Sequence, residues 1–199
     1  MDAKYISLFP LIRKICCLIH DREQVIVAID GPCAAGKTTA AALLNSLFGC
    51  PVIHMDDFFL PAALRTPQRY SEPGGNIHYE RFKTEVIQPL LAKHPVEYGS
   101  YDCSTGKITN TNKIEPSRLI IIEGAYSLHP YFENYCDISV YMDILPAIQK
   151  QRLLLRNGES GWVRFRDIWI PLEKNYFYTY KIKENSDIII NTQSHLKTV

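Results

Sequence analysis

The sequence predicts an α/β fold in which helices cover both faces of a parallel sheet. Three observations carry that reading. The runs Val25–Ile29 and Leu119–Ile122 are apolar, largely β-branched and free of alternation, as strands covered on both faces are. Helix-period segments separate such runs along the chain, the order that crossovers between parallel strands require. A glycine-rich turn leads directly from the first apolar run into an Ala- and Leu-rich helix.

With 199 residues, 46% of them hydrophobic and 22% charged, the chain is long enough for one domain with its own core. Twenty-two basic and 21 acidic residues leave a net charge of +1. That balance, with no extended basic and aromatic stripe, speaks against a nucleic-acid-binding protein. No apolar run approaches the roughly 18 residues of a membrane span. Pro10, Arg13, Lys14 and His20 interrupt the N-terminal apolar stretch, so neither a membrane segment nor a signal peptide is expected. The six cysteines form no C-x-x-C pair and read as small buried hydrophobes in a reducing, cytoplasmic setting. The expected partner is a small-molecule substrate; whether the chain forms a homo-oligomer is left open.

The elements follow in order. Ile6, Phe9, Ile12, Cys16 and Ile19 recur at helical spacing and predict a capping helix over 4–20, starting near Pro10. A strand at 25–29 and a helix at 38–48, closed by Gly49, flank the glycine turn. Residues 51–55 predict a second strand. Pro61, Pro67, Pro73, Gly74 and Gly75 make 60–77 a long loop, a length that in compact domains usually signals function. A helix over 79–91 presents Phe82, Val86 and Leu90 on one face. Residues 96–116 predict a hairpin, and 119–122, 137–142 and 187–190 further strands. Helices are expected at 147–156 and 169–183, joined by a polar, basic segment with two glycines.

Gly31-Pro32-Cys33-Ala34-Ala35-Gly36-Lys37-Thr38 matches G-x-x-x-x-G-K-[ST] between a strand and a helix. Glycines let successive N–H groups curl round one anion, and the helix N-terminus adds partial positive charge. The motif predicts a phosphate cradle for a nucleoside triphosphate, taken here as ATP, with GTP left open as the donor. Gly31, Cys33, Ala34, Ala35, Gly36, Lys37, Thr38 and Thr39 would hold the nucleotide, with Lys37 on the outer phosphates and the Thr38 hydroxyl on Mg²⁺. Four apolar residues deliver Glu123 to the carboxyl edge of the sheet, as a second holder of the metal or its water. Asp56 closes the second strand and is expected to orient the hydroxyl that attacks the γ-phosphorus. Arg152 and Arg156 share a helix face, and Arg164 and Arg166 follow two glycines. Together they suggest a basic lid at about 157–168 that steadies the moving phosphoryl group. Asn112-Lys113-Ile114-Glu115 only approximates a guanine-reading motif and is read as hairpin residues.

In this combination the chain resembles the uridine kinase and phosphoribulokinase family of P-loop kinases. The shared features are the Gly31–Thr38 loop, Met55-Asp56-Asp57-Phe58-Phe59, Ile122-Glu123-Gly124 and the arginine-bearing segment. The resemblance implies a P-loop NTPase fold, a five-stranded parallel sheet with a small hairpin and a lid. It implies that Asp56 acts on a ribose 5′-hydroxyl and that Tyr101-Asp102 helps hold a nucleoside. The sequence departs from uridine kinases at Phe59, where they have Tyr, and after Asp102, where no histidine follows. Kinase chemistry therefore carries over further than uridine recognition, and nicotinamide riboside or pantothenate are alternative acceptors. Residues 60–116 are expected to form the acceptor part, with Arg69, His78 and Tyr79 contributing contacts. The rival reading is a nucleotide-binding regulatory module that transfers nothing.

Overall fold

The computed structural model describes residues 3–192, with side chains from residue 6 onward; residues 1, 2 and 193–199 of the expected single domain lie outside the described residues. The strands in chain order are β1 (Val25–Asp30), β2 (Val52–His54), β3 (Val96–Asp102), β4 (Lys107–Ile114), β5 (Leu119–Glu123), β6 (Ile138–Asp143) and β7 (Ile188–Asn191). The helices are α1 (Phe9–Asp21), α2 (Lys37–Phe48), α3 (Pro67–Ser71), α4 (Tyr79–Phe82), α5 (Gln88–Leu91), α6 (Pro146–Arg164) and α7 (Ile170–Tyr180).

Five strands form one parallel sheet, as expected, and stand in the order β2-β5-β1-β6-β7. β1 is buried at every position and lies at the centre, which is why it reads as an unbroken apolar run. Its side chains alternate between two cores. Ile26 and Ala28 join Phe58, Phe82, Val86, Phe132 and Tyr176 on one face. Val25, Val27 and Ile29 join Leu11, Ile15, Ala41 and Leu44 on the other. β3 and β4 form the separate antiparallel hairpin, with a register shift between Gly99 and Tyr101.

Local differences from the sequence reading have physical reasons. The buried face of α1 is Leu11 and Ile15, with Leu8 just before it, while Ile6 and Phe9 are exposed. Apolar residues occupy two adjacent stripes here, so periodicity alone leaves the helix rotation open. Cys16 and Cys17 fall on the outer side and are exposed, as is Cys103; only Cys50 is buried. The 60–77 loop contains α3, capped where the Thr66 hydroxyl accepts from the Arg69 N–H.

The basic segment after residue 156 is not a loop. α6 continues to Arg164 across a break at Gly158 (φ 68°, ψ −177°), a conformation open to glycine. A wide π-helical turn at Phe165–Trp169 then leads into α7. A second such turn, Lys83–Ile87, joins α4 to α5. Each wide turn ends two residues before a proline, Pro89 or Pro171. A proline has no N–H for the carbonyl four residues back, and a widened turn accommodates that gap.

Phe82 anchors the acceptor-side core: it is fully buried and meets Phe58 edge-on at 4.9 Å and Phe132 at 4.9 Å. Phe82→Ala is expected to cost about 3–5 kcal/mol of stability. A urea midpoint within experimental error of the wild type would refute that packing.

Candidate active site

Strand register assembles the site. Glu123 pairs with Ile29 of β1 and with His54 of β2, so the last residue of β5 stands between the glycine loop and the Asp56 segment. Residues Asp56 and Asp57 lie in a single helical turn, Met55–Phe58, directly after β2. The carboxyl edges of β1, β2 and β5 therefore converge on one cavity of about 710 Å³.

The loop has the geometry of an anion cradle. Gly31 (φ 137°), Ala34 (φ 61°) and Gly36 (φ 96°) take positive φ values that turn the chain back on itself. A Cβ at Gly31 would lie 2.3 Å from the Met142 carbonyl oxygen, so only glycine fits. Lys37 is buried and its Nζ donates to the carbonyls of Gly31 (2.7 Å) and Pro32 (2.9 Å) across the loop. The Thr38 hydroxyl donates to Glu123 Oε1 at 3.1 Å, and His54 Nδ1 lies 2.6 Å from the same oxygen. That contact with Glu123 raises the His54 pKa against the opposing effect of burial. The hydroxyl and carboxylate oxygens of Thr38 and Glu123 are hard donors of the kind Mg²⁺ prefers. Among the described residues no cluster of three or more His, Cys, Asp or Glu side chains could hold a metal by itself. A Mg²⁺ ion here fits the usual pattern of one or two protein oxygens completed by phosphates and water.

Asp56 is open to the cavity, yet the walls around it limit hydration. That desolvation raises its carboxyl pKa, Lys37 opposes the rise and Glu123 adds to it. A carboxylate raised in this way is a better proton acceptor than a free one.

Of the other expected site residues, the structure brings Cys33, Ala34, Ala35, Gly36, Thr39, Arg152, Arg156 and Arg164 to the same cavity. Arg152 is committed elsewhere: its guanidinium donates to the carbonyls of Ala34 and Thr192, each at 3.0 Å, bracketing the loop to the end of the sheet. Arg156 donates to Asn157 Oδ1, and Arg166, outside the cavity, pairs with its neighbour Asp167.

Arg69, His78, Tyr79, Tyr101 and Asp102 do not line the cavity. Arg69 donates to the carbonyls of Gly75 and Ile77 and pairs with Glu80, while its guanidinium carbon lies 3.6 Å from the centre of the Tyr79 ring. This guanidinium pins the 69–80 segment from within. The Tyr79 hydroxyl is also taken, by Glu72. His78 caps α4 by accepting from the Arg81 N–H. Tyr101 is buried and accepts from Arg65 at 3.2 Å. Asp102 closes the hairpin turn through Ser104 and Thr105, contacts that lower its pKa. The Asn112–Glu115 segment ends β4, away from the cavity.

The cavity also takes Phe59, noted in the sequence as a departure from uridine kinases, and four residues that the sequence reading passes over: Tyr126, Phe165, Trp169 and Glu173. Asn76 lines it too, its amide buried next to the Tyr126 hydroxyl. Position after a fully buried strand was a usable signal for Asp30, which ends β1. Nothing local marks Glu173.

The strand order and the glycine loop define a P-loop NTPase fold, with the β3–β4 hairpin as an insert. No family model matches the chain. It is 25% identical over 193 residues to a uridine kinase of Clostridium perfringens, covering 88% of this chain and 91% of the relative. It is 29% identical over 181 residues to a guanylate kinase of the same organism, covering 82% and 78%. A solved structure described as a possible uridine kinase from Bacillus stearothermophilus superposes with a TM-score of 0.65 at 22% identity, covering 92% of this chain and all of that one. The resemblance to the uridine kinase and phosphoribulokinase family of P-loop kinases thus extends over most of the chain.

Arg69→Ala is expected to lower stability by about 2–3 kcal/mol, because charge-assisted hydrogen bonds are lost inside the segment. Lys113→Ala, an exposed control, should change it little. Equal melting temperatures for the two variants would contradict the pinning role.

Proposed function

We propose that this chain is an ATP-dependent, Mg²⁺-assisted kinase that transfers the γ-phosphate to a hydroxyl of a small molecule, most simply a nucleoside. The observation that carries the reading is the convergence of Lys37, Thr38, Glu123 and Asp56 on one cavity, with the Thr38 hydroxyl bonded to Glu123. Relatives named as kinases support the phosphotransferase class. The two uridine kinase likenesses favour a nucleoside acceptor.

In this reading the loop N–H groups and Lys37 bind the outer phosphates, Lys37 exchanging its two carbonyl contacts for phosphate oxygens. Mg²⁺ held by Thr38 and Glu123 would neutralise charge between the phosphates. Asp56 accepts the hydroxyl proton as the acceptor oxygen bonds to phosphorus and the bond to the departing diphosphate breaks. Arg156 and Arg164 reach the cavity from the helical arm around Gly158 and offset charge on the moving group. The arm is the proposed lid, and residues 60–116 the proposed acceptor part. A cytoplasmic setting belongs to the proposal; the structure itself shows only that no helix among the described residues is long and apolar enough to cross a membrane.

The test is product detection by mass with Mg²⁺·ATP and a panel of nucleosides, nicotinamide riboside, pantothenate and nucleoside monophosphates. A nucleoside monophosphate formed from one nucleoside is the expected result. Nucleotide binding with no product from any acceptor would favour the regulatory reading. Asp56→Asn should lower turnover about 10²–10⁴-fold while ATP still binds. Unchanged turnover in that variant would remove Asp56 from the mechanism. Lys37→Ala should weaken ATP binding.

A further inference from the structure

Cys33, the third residue of the glycine loop, is gripped from both sides. Its N–H donates to both carboxylate oxygens of Glu173, at 3.0 and 3.2 Å. Its carbonyl accepts from Gln149 Nε2 at 3.0 Å, and the same nitrogen lies 3.3 Å from the Cys33 sulfur. Gln149 belongs to α6 before the Gly158 break, and Glu173 to α7 after the wide turn. Both roots of the arm that carries Arg156 and Arg164 therefore close on one residue of the phosphate cradle.

We infer that Glu173 is a positioning residue for the donor phosphates: it sets the cradle through Cys33 and is protonated when a nucleoside triphosphate is bound. The inference rests on the proposed nucleotide-binding role of the loop and adds a proton to it. Glu173 is buried and lines the cavity beside the loop. The groups facing it are Lys37 from α2, Cys33 from the loop, Asp30 from β1, Tyr126 after β5 and Tyr141 from β6. Lys37 is the one cation in that set, and it is the group a triphosphate would draw away. An ionised Glu173 would then face an incoming polyanion in a poorly hydrated corner with its compensating charge gone. Protonation removes that repulsion and keeps a carbonyl-type oxygen for the Cys33 N–H.

Burial already holds the Glu173 carboxyl high, at about 7, against the pull of Lys37 and the Cys33 N–H, with Asp30 adding to the rise. Below that value the free protein carries the proton before nucleotide arrives; above it, the proton must be taken up on binding. Affinity therefore falls as pH rises. For one linked proton the dissociation constant should weaken about tenfold between pH 6 and pH 8.

The test uses the full chain, Mg²⁺ and a non-hydrolysable ATP analogue, and needs no acceptor. Calorimetry at pH 8 in two buffers of different ionisation heat should show uptake approaching one proton by the wild type. Glu173→Gln keeps the shape and an acceptor oxygen but cannot titrate. It should bind at pH 8 as tightly as the wild type does at pH 6, with a flattened pH profile and little uptake. Equal slopes and equal uptake in the two proteins would overturn the inference while leaving nucleotide binding intact. Failure of the folded wild type to bind the analogue at any pH would overturn the proposed function as well. Should Glu173→Gln not fold, the wild-type uptake measurement decides alone, because the absence of uptake contradicts the inference.

Discussion

The Asp30 carboxylate, fully buried at the end of the central strand, accepts four hydrogen bonds. They come from the N–H groups of Gly31 (2.7 Å), Tyr126 (3.0 Å) and Leu128 (2.9 Å) and from the Tyr176 hydroxyl (2.8 Å). Burial raises the pKa of this group, and the bonds from Leu128, Tyr176 and Gly31, with the charge of Lys37, pull it down. A carboxylate without water is costly unless such donors surround it. Here the donors belong to three segments far apart in sequence: the glycine loop, the turn after β5, and α7. The turn includes Tyr126 at φ 77°, and the Gly124 N–H beside it donates to the Ile29 carbonyl, so Glu123 leaves its strand in a fixed direction. Tyr176 lies one helical turn beyond Glu173, so the anchor that places α7 also places the carboxylate on Cys33.

The cavity therefore collects Asp56, Glu123 and Glu173, with Asp30 behind them, around the single buried lysine of the loop. Such an excess of negative charge suits a site completed by a cation rather than one that binds bare phosphate. The raised pKa values of Asp56 and Glu173 have the same root, poor hydration among like charges. Arg156 and Arg164 stand further out on the arm, exposed and free of acidic partners among the described residues. Arg152, tied to two carbonyls, braces the loop instead. Three arginines of one basic stretch thus differ in what they contact, which spacing along a helix does not reveal.

The sheet, the phosphate loop and the carboxylates at strand ends were legible because each is a local pattern. An unbroken apolar run marks a strand buried on both faces, and the residue that follows must emerge at the sheet edge. That is how Glu123 could be read, while Asp56 follows from its place just past the end of the shorter, half-buried β2. Arg69 and Tyr79 were read as ligand contacts because an arginine or tyrosine near a glycine pair looks available. Their partners, Glu80, Glu72 and the Gly75 and Ile77 carbonyls, become visible only once the segment has folded on itself. Glu173 lies 140 residues from Cys33, and no spacing rule links them. The rotation of α1 was ambiguous because two adjacent stripes of it are apolar.

The most direct test of this account is a paired measurement on Asp30→Asn, thermal unfolding and nucleotide affinity on the same protein. Asparagine keeps the shape but turns an NH₂ group toward donors, so at least one buried N–H or hydroxyl loses its acceptor. The account predicts a loss of about 3 kcal/mol or more in stability. It also predicts at least tenfold weaker binding of Mg²⁺·ATP to the fraction that remains folded, because the loop, the Glu123 turn and α7 lose their common anchor. A variant that melts lower yet binds Mg²⁺·ATP like the wild type would contradict it, showing that the three segments hold the site without Asp30.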